Sequence, residues 1–261
     1  AGGLQLAAGA AVRVDDVDVV VVAPVAGDGG FDGGGDPFGT AVQDRGQAGQ
    51  VDVVPAAGRL DVEDLAGQRV RLRLPQVGDV AGHGVASAMV TVSMASLCRH
   101  ILREPTVTVT SCLRSMHDDL YELSSGEYPM AVLAVEASET GGTFRWWGGG
   151  APSPLLMRSS GVEVVLGSGN SIGGESFELE EGVLELEPGD RLLLYSDGIT
   201  EQITKKGRPL GLKRLRKIFE KSRGMSLAET RAFLLKEFNE QRGPEEQADD
   251  VSFVLVGRRA E

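Results

Sequence analysis

The sequence predicts an α+β fold, because segments with helical periodicity and segments typical of strands follow one another from Val77 onward. Residues 85–103 contain neither Gly nor Pro. This segment carries a stripe at helical spacing, formed by Val85, Ala88, Met89, Val92, Ser96 and Leu97. A second helix is predicted at 107–123, where Leu113, Met116, Leu120 and Leu123 recur three and four residues apart. Clusters of Gly, Ser and Pro then separate short apolar runs, which predict strands at 129–137, 143–147, 154–158 and 162–166.

The following segments alternate between the two kinds of element. LELEPGDRLLLYSDG predicts a strand, a tight turn at Pro-Gly-Asp and a buried strand that runs into Asp197. Helices are predicted at Leu210–Arg223 and Ser226–Arg242. The second of these begins with a capping box, in which Ser226 and Glu229 satisfy each other's backbone N–H groups. The apolar and β-branched segment VSFVLVGRR, residues 251–259, predicts another strand.

The N-terminal segment, residues 1–76, differs from the rest in composition. From Ala1 to Ala86 there is no Ser, Lys, Ile, Asn, Met, Cys, Tyr or Trp, and nearly every residue has codons that can begin with G or C. Two explanations are open: a low-complexity Ala/Gly/Val leader from a GC-rich genome, or a gene segment read in the wrong frame. We therefore predict an atypical region at 1–76, misread or unstructured, and a domain at 77–261 that lacks its first strands. Within the first region, VDVVVVAPV predicts a short strand. The segment GRLDVEDLAGQRVRLRLP, with its alternation at Val70, Leu72 and Leu74, predicts a hairpin or a strand.

Composition excludes several classes of protein. The chain has 261 residues, 41% of them apolar, which is typical of a globular protein. Its net charge of −12 argues against a nucleic-acid backbone or an anionic membrane as the main partner. No apolar run approaches the roughly 18 residues of a membrane span, and VDVVVVAPVAG lacks the basic segment of a signal peptide. Cys98 and Cys112 form no C-x-x-C pair, so we expect reduced, buried thiols in a cytoplasmic protein and no zinc site.

Acidic residues stand at the ends of three predicted strands. Asp79 follows LRLPQVG and precedes a helix, and Asp197 ends the run RLLLYS. Asp249 and Asp250 directly precede VSFVLV. A sheet brings strand ends that are distant in sequence together, and Mg²⁺ and Mn²⁺ prefer carboxylate, carbonyl and water oxygens. Taken alone, each of these acids is typical of a solvated turn. Together they suggest a site for a hard divalent cation.

The order of these motifs resembles the bacterial PP2C-like (PPM) serine/threonine phosphatases of the RsbU/SpoIIE type. The resemblance lies in GDVAGHG before a helix pair, in YSDGITE after an apolar strand, and in DDVS, which leads into the strand VSFVLV. RWWGGGAPSPLLMR is similar to the family's glycine-proline segment between two strands. The resemblance covers about Val77 to Arg259. It implies a PP2C-like sandwich of two antiparallel β-sheets flanked by helices, with the metal site at one edge.

The resemblance also implies roles for individual residues. Asp79 is similar to the carboxylate that bridges two metal ions, and Val80 would offer its backbone carbonyl to one of them. Asp197 and Asp249 are similar to ligands of the second ion, and the role of Asp250 is less defined. His83 and the glycines around it would shape the loop. The implied cofactors are two Mn²⁺ or Mg²⁺ ions, and the implied reaction is hydrolysis of phosphoserine or phosphothreonine by metal-activated water.

The partner that the resemblance implies is a phosphorylated regulatory protein, an anti-anti-sigma factor with a STAS domain. It implies neither a nucleic acid nor a membrane as partner, and it leaves a homodimer open. These expectations follow from the family and not from the composition of this chain.

One family feature is missing from the expected place. The family carries G-G-D-[FWY]-[YF]-D about 20 residues before G-D-x-x-G-H-G, and it supplies a further metal-site acid and the first long strand. Here the nearest similar segment, GGGDPFG with Asp36, lies 43 residues before Asp79 and has Pro37 where the family has an aromatic residue. Two alternatives therefore stay open: a catalytically inactive, phosphatase-like binding module, or an α+β domain whose motifs are chance turns.

Overall fold

The computed structural model describes residues 11–14, 17–22, 52–53, 77–81, 85–101, 107–137, 142–165, 167, 169–242, 249 and 251–258. The strands in these ranges are β1 (Ala11–Val14), β2 (Val17–Val22), β3 (Asp52–Val53), β4 (Val77–Val80), β5 (Met130–Ala137), β6 (Thr143–Gly149), β7 (Leu155–Arg158), β8 (Gly161–Val164), β9 (Glu180–Glu185), β10 (Arg191–Tyr195) and β11 (Phe253–Arg258). The helices are α1 (Val85–Ile101), α2 (Val109–Ser124), α3 (Gly198–Glu201), α4 (Leu212–Lys221) and α5 (Leu227–Arg242).

The strands form two antiparallel sheets, which confirms the predicted sandwich. One sheet has the order β1-β2-β11-β10-β7-β8 and the other the order β3-β4-β5-β6-β9. Alternate residues of each sheet point inward, since successive side chains of a strand face opposite sides. Buried side chains from both sheets, including Phe144, Trp146, Leu192 and Val254, meet in one apolar cluster between them.

Helices cover the outer face of each sheet. The buried side of α4, formed by Leu215, Ile218 and Phe219, joins the outer face of the first sheet in a second cluster that also contains Leu234 of α5. A third cluster joins α1 and α2 to the outer face of the second sheet. The fold therefore has helices, sheet, sheet and helices in successive layers, held by three apolar clusters.

The predicted helices and strands agree with the structure in type, and their ends differ by a few residues. The helix predicted at 85–103 ends at Ile101, and the one predicted at Leu210–Arg223 covers Leu212–Lys221. The capping box of α5 is confirmed: the Ser226 backbone N–H donates to Glu229 Oε2 at 2.7 Å, and the Glu229 N–H donates to Ser226 Oγ at 3.2 Å.

The predicted apolar stripe of α1 is wrong at Met89, Val92 and Ser96, which are exposed, and correct at Leu97, which packs against the cluster beneath the helix. The exposed fractions of Met89 and Val92 are 67% and 43%, whereas Val90, Met94 and Cys98 are buried against the second sheet. The prediction for α2 is correct for Leu113, Met116 and Leu120 and wrong for Leu123, which is exposed. In both helices, therefore, some apolar residues at helical spacing lie on the solvent side.

Strands that precede residue 77 in the sequence pair with strands that begin at or after it. β2 pairs with β11, with Val20 opposite Leu255, and β3 pairs with β4. The predicted strand in VDVVVVAPV thus corresponds to β2, and the alternation at 70–74 lies outside the described residues. The division of the chain at residue 77 stays a prediction about its organisation.

The burial expected for the two cysteines is confirmed. Cys98 and Cys112 are buried thiols. In the part of the chain that the structure describes, no helix is long and apolar enough to cross a membrane.

Candidate metal centre

The structure brings Asp79, Asp197 and Asp249 together. Each contributes a carboxylate oxygen to a group of atoms that all lie within 4.8 Å of one another. We refer to these three residues as the acid cluster. They are separated by up to 170 residues in sequence, so their proximity is a product of the fold and not of local turns.

The sheets place each member of the acid cluster. Asp79 lies in β4, where the register sets it opposite Ala131 of β5 on one side and Asp52 of β3 on the other. Asp197 follows the end of β10 and precedes α3, whose first turn is closed by a 2.8 Å bond from the Glu201 N–H to the Asp197 carbonyl.

The position of Asp249 follows from the pairing of β10 with β11. These strands are antiparallel, with Tyr195 opposite Phe253, so the end of β10 meets the start of β11. Beyond the ladder, the Ser196 N–H donates to the Ser252 carbonyl at 3.0 Å, and the Ser252 N–H donates to Ser196 Oγ at 3.1 Å. These bonds hold the two chain segments that carry Asp197 and Asp249 side by side.

The electrostatics of the acid cluster suit a cation. Asp79 is buried and the other two acids are partly buried, so solvent screens their mutual repulsion poorly. Asp197 Oδ1 is buried and accepts no hydrogen bond from the residues that the structure describes. Buried carboxylates without compensating donors are costly unless a cation neutralises them. The all-oxygen donor set is the type that Mg²⁺ and Mn²⁺ prefer.

Of the other residues predicted for the site, the structure describes only Val80. Val80 ends β4 opposite Met130, and its side chain is buried. The predicted role of its carbonyl as a metal ligand remains a prediction. His83, Asp36 and Asp250 lie outside the described residues.

Sequence reasoning did not single out Asp52. The register of β3 places this residue directly opposite Asp79. The available signal was an acid inside the apolar run VDVV, because Asp is depleted in strands.

The surroundings of the acid cluster are apolar on the side of β10. Tyr195, two residues before Asp197, is 1% exposed, and burial raises the pKa of its phenol to about 12. A pocket opens beside α3 and the end of α5, with Ile199, Phe238 and Val251 among its lining residues. Ile199 and Val251 each follow a member of the acid cluster by two residues, so the pocket adjoins the site.

Comparisons with known proteins agree with this architecture. Residues 74–259 match the family described as Stage II sporulation protein E (SpoIIE). A relative, the phosphoserine phosphatase RsbP of Bacillus subtilis, is 22% identical over 183 residues, which cover 68% of this chain and 44% of RsbP. The chain therefore spans less than half the length of this relative.

Two solved structures share the fold. The SiaA-PP2C domain of Pseudomonas aeruginosa has a TM-score of 0.64 at 19% identity and covers 81% of each chain. The catalytic domain of the serine/threonine protein phosphatase PstP, in complex with two manganese ions, has a TM-score of 0.53 at 15% identity, covering 81% of this chain and 97% of PstP. The family match spans well over half of the residues, so the chain belongs to the family described as Stage II sporulation protein E (SpoIIE).

Proposed function

We propose that this protein is a metal-dependent phosphatase that hydrolyses phosphoserine or phosphothreonine on a regulatory protein. The observation that carries the proposal is the acid cluster, three carboxylates from distant strand ends that lie within 4.8 Å of one another. Membership of the SpoIIE family and the name of the relative RsbP, a phosphoserine phosphatase, support the choice of reaction.

In this proposal, Asp79, Asp197, Asp249 and the Val80 carbonyl would hold two Mn²⁺ or Mg²⁺ ions. When bound, such ions supply positive charge for the phosphoryl oxygens and acidify a water molecule. The protein's own contribution is to fix the carboxylates on paired strands, so that little reorganisation is needed when the substrate arrives. The two manganese ions in the PstP structure support the choice and number of ions.

The burial of the cysteines argues against a route through a phosphocysteine intermediate. Cys98 and Cys112 are 1% and 0% exposed and lie in the cluster beneath α1 and α2. A phosphorylated side chain on another protein does not reach thiols buried in this way. Two buried cysteines that form no disulfide also support the proposed cytoplasmic location.

The finer assignment of the substrate rests on the family resemblance. We propose a phosphorylated STAS-domain anti-anti-sigma factor as substrate and leave open a homodimer. Neither a nucleic acid nor a membrane is part of this proposal.

The test is hydrolysis of p-nitrophenyl phosphate and a phosphoserine peptide by the purified chain, with Mn²⁺, with Mg²⁺ and with EDTA. We expect activity only with metal. We also expect Asp79→Ala and Asp197→Ala to lower kcat/KM by about 100-fold or more, because each removes a ligand. Asp119→Ala, which removes an exposed carboxylate of α2, is the matched control and should retain activity. Activity that persists in EDTA would contradict the proposal.

A second candidate is the catalytically inactive, phosphatase-like binding module. It is favoured by the missing G-G-D-[FWY]-[YF]-D segment, which has no match in residues 54–76. Such a module would show no metal-dependent hydrolysis of either substrate, while circular dichroism would still report a folded chain.

A further inference from the structure

Positive charge is concentrated in one short part of this acidic protein. Residues 205–223 contain nine Lys or Arg residues and one acid, Glu220, and so carry a net charge of +8. The whole chain carries −12, so the remainder carries −20. A charge reversal of this size creates a local positive potential that attracts anionic groups.

The positive segment forms a hairpin followed by α4. The hairpin is closed by a bridge between Ile203 and Pro209 and by a 2.9 Å bond from the Thr204 N–H to the Arg208 carbonyl. Exposed cations lie at its tip and along one face of α4; we call them the basic strip, which comprises Lys205, Lys206, Arg208, Lys213, Lys217 and Lys221.

The α4 part of the basic strip is a continuous row. Lys213, Lys217 and Lys221 are four residues apart, which places them on one helix face. Like charges at this spacing destabilise a helix. In the part of the chain that the structure describes, no member of the basic strip forms an ion pair with an acid. Two neighbouring arginines are left out of the basic strip because their guanidinium groups bind backbone carbonyls. Arg216 donates to the Val162 carbonyl, and Arg223 donates to the Arg158 and Ser159 carbonyls.

The basic strip is linked to the two chain segments that carry Asp197 and Asp249. The hairpin begins directly after α3, and α3 follows Asp197. At its tip, the Lys205 N–H donates to the Gln241 carbonyl at 2.9 Å, near the end of α5, from which the chain runs on to Asp249. Gln202 and Leu210, which flank the hairpin, line the same pocket as Ile199 and Val251, which follow Asp197 and Asp249 by two residues. A protein that contacts the hairpin is therefore held on the side of the fold that carries the acid cluster.

The surroundings of the basic strip favour a protein as the anionic partner. The apolar face of α4 is buried in the fold, with Leu215 and Phe219 both 0% exposed, so it has no apolar side to insert into a lipid bilayer. Within residues 205–223 the single aromatic residue is Phe219, so there is no exposed ring on which a base of a single-stranded nucleic acid stacks.

We propose that the basic strip is the docking surface for an acidic region of the phosphoprotein substrate. This inference rests on the proposed function, since it assigns a partner to the same site. The overall negative charge of the chain repels an acidic phosphoprotein. The basic strip reverses that repulsion locally and raises the concentration of substrate beside the acid cluster.

The test compares two synthetic phosphoserine peptides that are identical except that an acidic run in one is replaced by Gln and Asn in the other. We expect the metal-loaded full chain to prefer the acidic peptide at low ionic strength. The variants Lys205→Gln/Lys206→Gln/Arg208→Gln and Lys213→Gln/Lys217→Gln/Lys221→Gln should each reduce this preference in kcat/KM by about tenfold. High salt should remove it as well. Lys236→Gln, an exposed lysine of α5, is the matched control and should leave the preference intact.

Binding gives a readout that does not depend on catalysis. Fluorescence anisotropy with the unphosphorylated acidic peptide should show a Kd that rises about tenfold in the strip variants. Binding of this kind without hydrolysis of any phosphoserine substrate would retain the docking surface and overturn the proposed function.

Two results would overturn the docking surface itself. One is an equal loss of p-nitrophenyl phosphate hydrolysis in the strip variants, because this small substrate does not need docking. The other is unchanged peptide binding together with loss of binding to phosphatidylserine vesicles or to RNA, which would assign the basic strip to a different partner.

Discussion

Asp197 has an environment that suits a cation better than a lone carboxylate. Its buried Oδ1 accepts no hydrogen bond from the described residues, and two further carboxylates have oxygens within 4.8 Å. Repulsion between partly buried like charges opposes folding. The acid cluster thus lowers the stability of the metal-free fold and provides the ligands of the proposed metal site.

We predict that Asp197→Asn raises the free energy of unfolding of the metal-free protein by about 1 kcal/mol or more, because it removes one of three mutually repelling charges. The same variant should lose most of the increase in Tm that Mn²⁺ gives the wild type. Thermal unfolding in EDTA and in Mn²⁺ measures both effects. Asp119→Asn on α2 is the control. A variant that is less stable than wild type in EDTA would contradict the idea that repulsion dominates at this position.

At the scale of elements, sequence predicted the identity of helices and strands better than their orientation. The three acids at strand ends could be found from sequence, because each lies within two residues of an apolar run. The buried side of α1 could not be predicted from sequence, because its first 14 residues contain no charged residue that would indicate which side faces solvent. Met89 and Met94 therefore looked alike in sequence, although one is exposed and the other is buried.

The start of α2 shows a similar limit. Thr108 and Ser111 exchange hydrogen bonds as a capping box, each backbone N–H donating to the other's hydroxyl at 3.1 Å. The usual sequence signature has Glu or Gln at the second position, as α5 has Glu229. Ser111 accepts the same hydrogen bond but does not match this sequence signature, so the capping box of α2 was not predicted.

The orientation of α1 leads to a direct prediction. Met94→Ala should lower the free energy of unfolding by about 2–4 kcal/mol, because it leaves a cavity in the cluster beneath the helix. Met89→Ala is the matched control and should change it by less than about 0.5 kcal/mol, since Met89 is exposed. Urea denaturation followed by circular dichroism measures both. Equal losses in the two variants would mean that both faces of α1 are covered in solution.

The N-terminus of α5 gives a prediction about pH. The Ser226 backbone N–H stabilises the ionised Glu229 carboxylate and lowers its pKa, with smaller contributions from the Ser226 hydroxyl and from Arg191. A lowered pKa in the folded state means that the stabilisation is complete above the unfolded pKa of about 4.3 and is lost as the pH falls through the folded pKa. Glu229→Gln should therefore be less stable than wild type at neutral pH, and this gap should close in acid.

Urea midpoints at neutral pH and below pH 4 measure this gap. Glu122→Gln, an exposed change on α2, is the control. A gap between Glu229→Gln and wild type that does not change with pH would argue against a role for the charge of the carboxylate.

At the scale of the whole molecule, each sheet contains strands from both sides of the change in composition near residue 77. β2 covers one side of β11, and β3 covers one side of β4. The sequence signal for a separate region was compositional, and composition does not report strand pairing. Only the spatial arrangement shows that the two sheets include short segments from the atypical part of the chain.

A chain that begins at residue 74 tests the contribution of these segments. Without β2, the apolar strand β11 becomes a sheet edge with unpaired backbone groups, which promotes association between chains. We predict that the shortened chain has a lower free energy of unfolding and self-associates, as measured by urea denaturation and sedimentation velocity. A shortened chain as stable and as monodisperse as the full chain would support the division at residue 77.

The position of β11 also determines when the site can form during synthesis. β11 comes after all the other described strands in the sequence but lies between β2 and β10 in the sheet. The nascent chain therefore cannot complete this sheet, or bring Asp249 beside Asp79 and Asp197, until β11 has left the ribosome. Pairings between such distant segments are slow to form. The order of the strands thus keeps an incomplete chain from having the full acid cluster, so that any metal-dependent activity begins only after this sheet has closed.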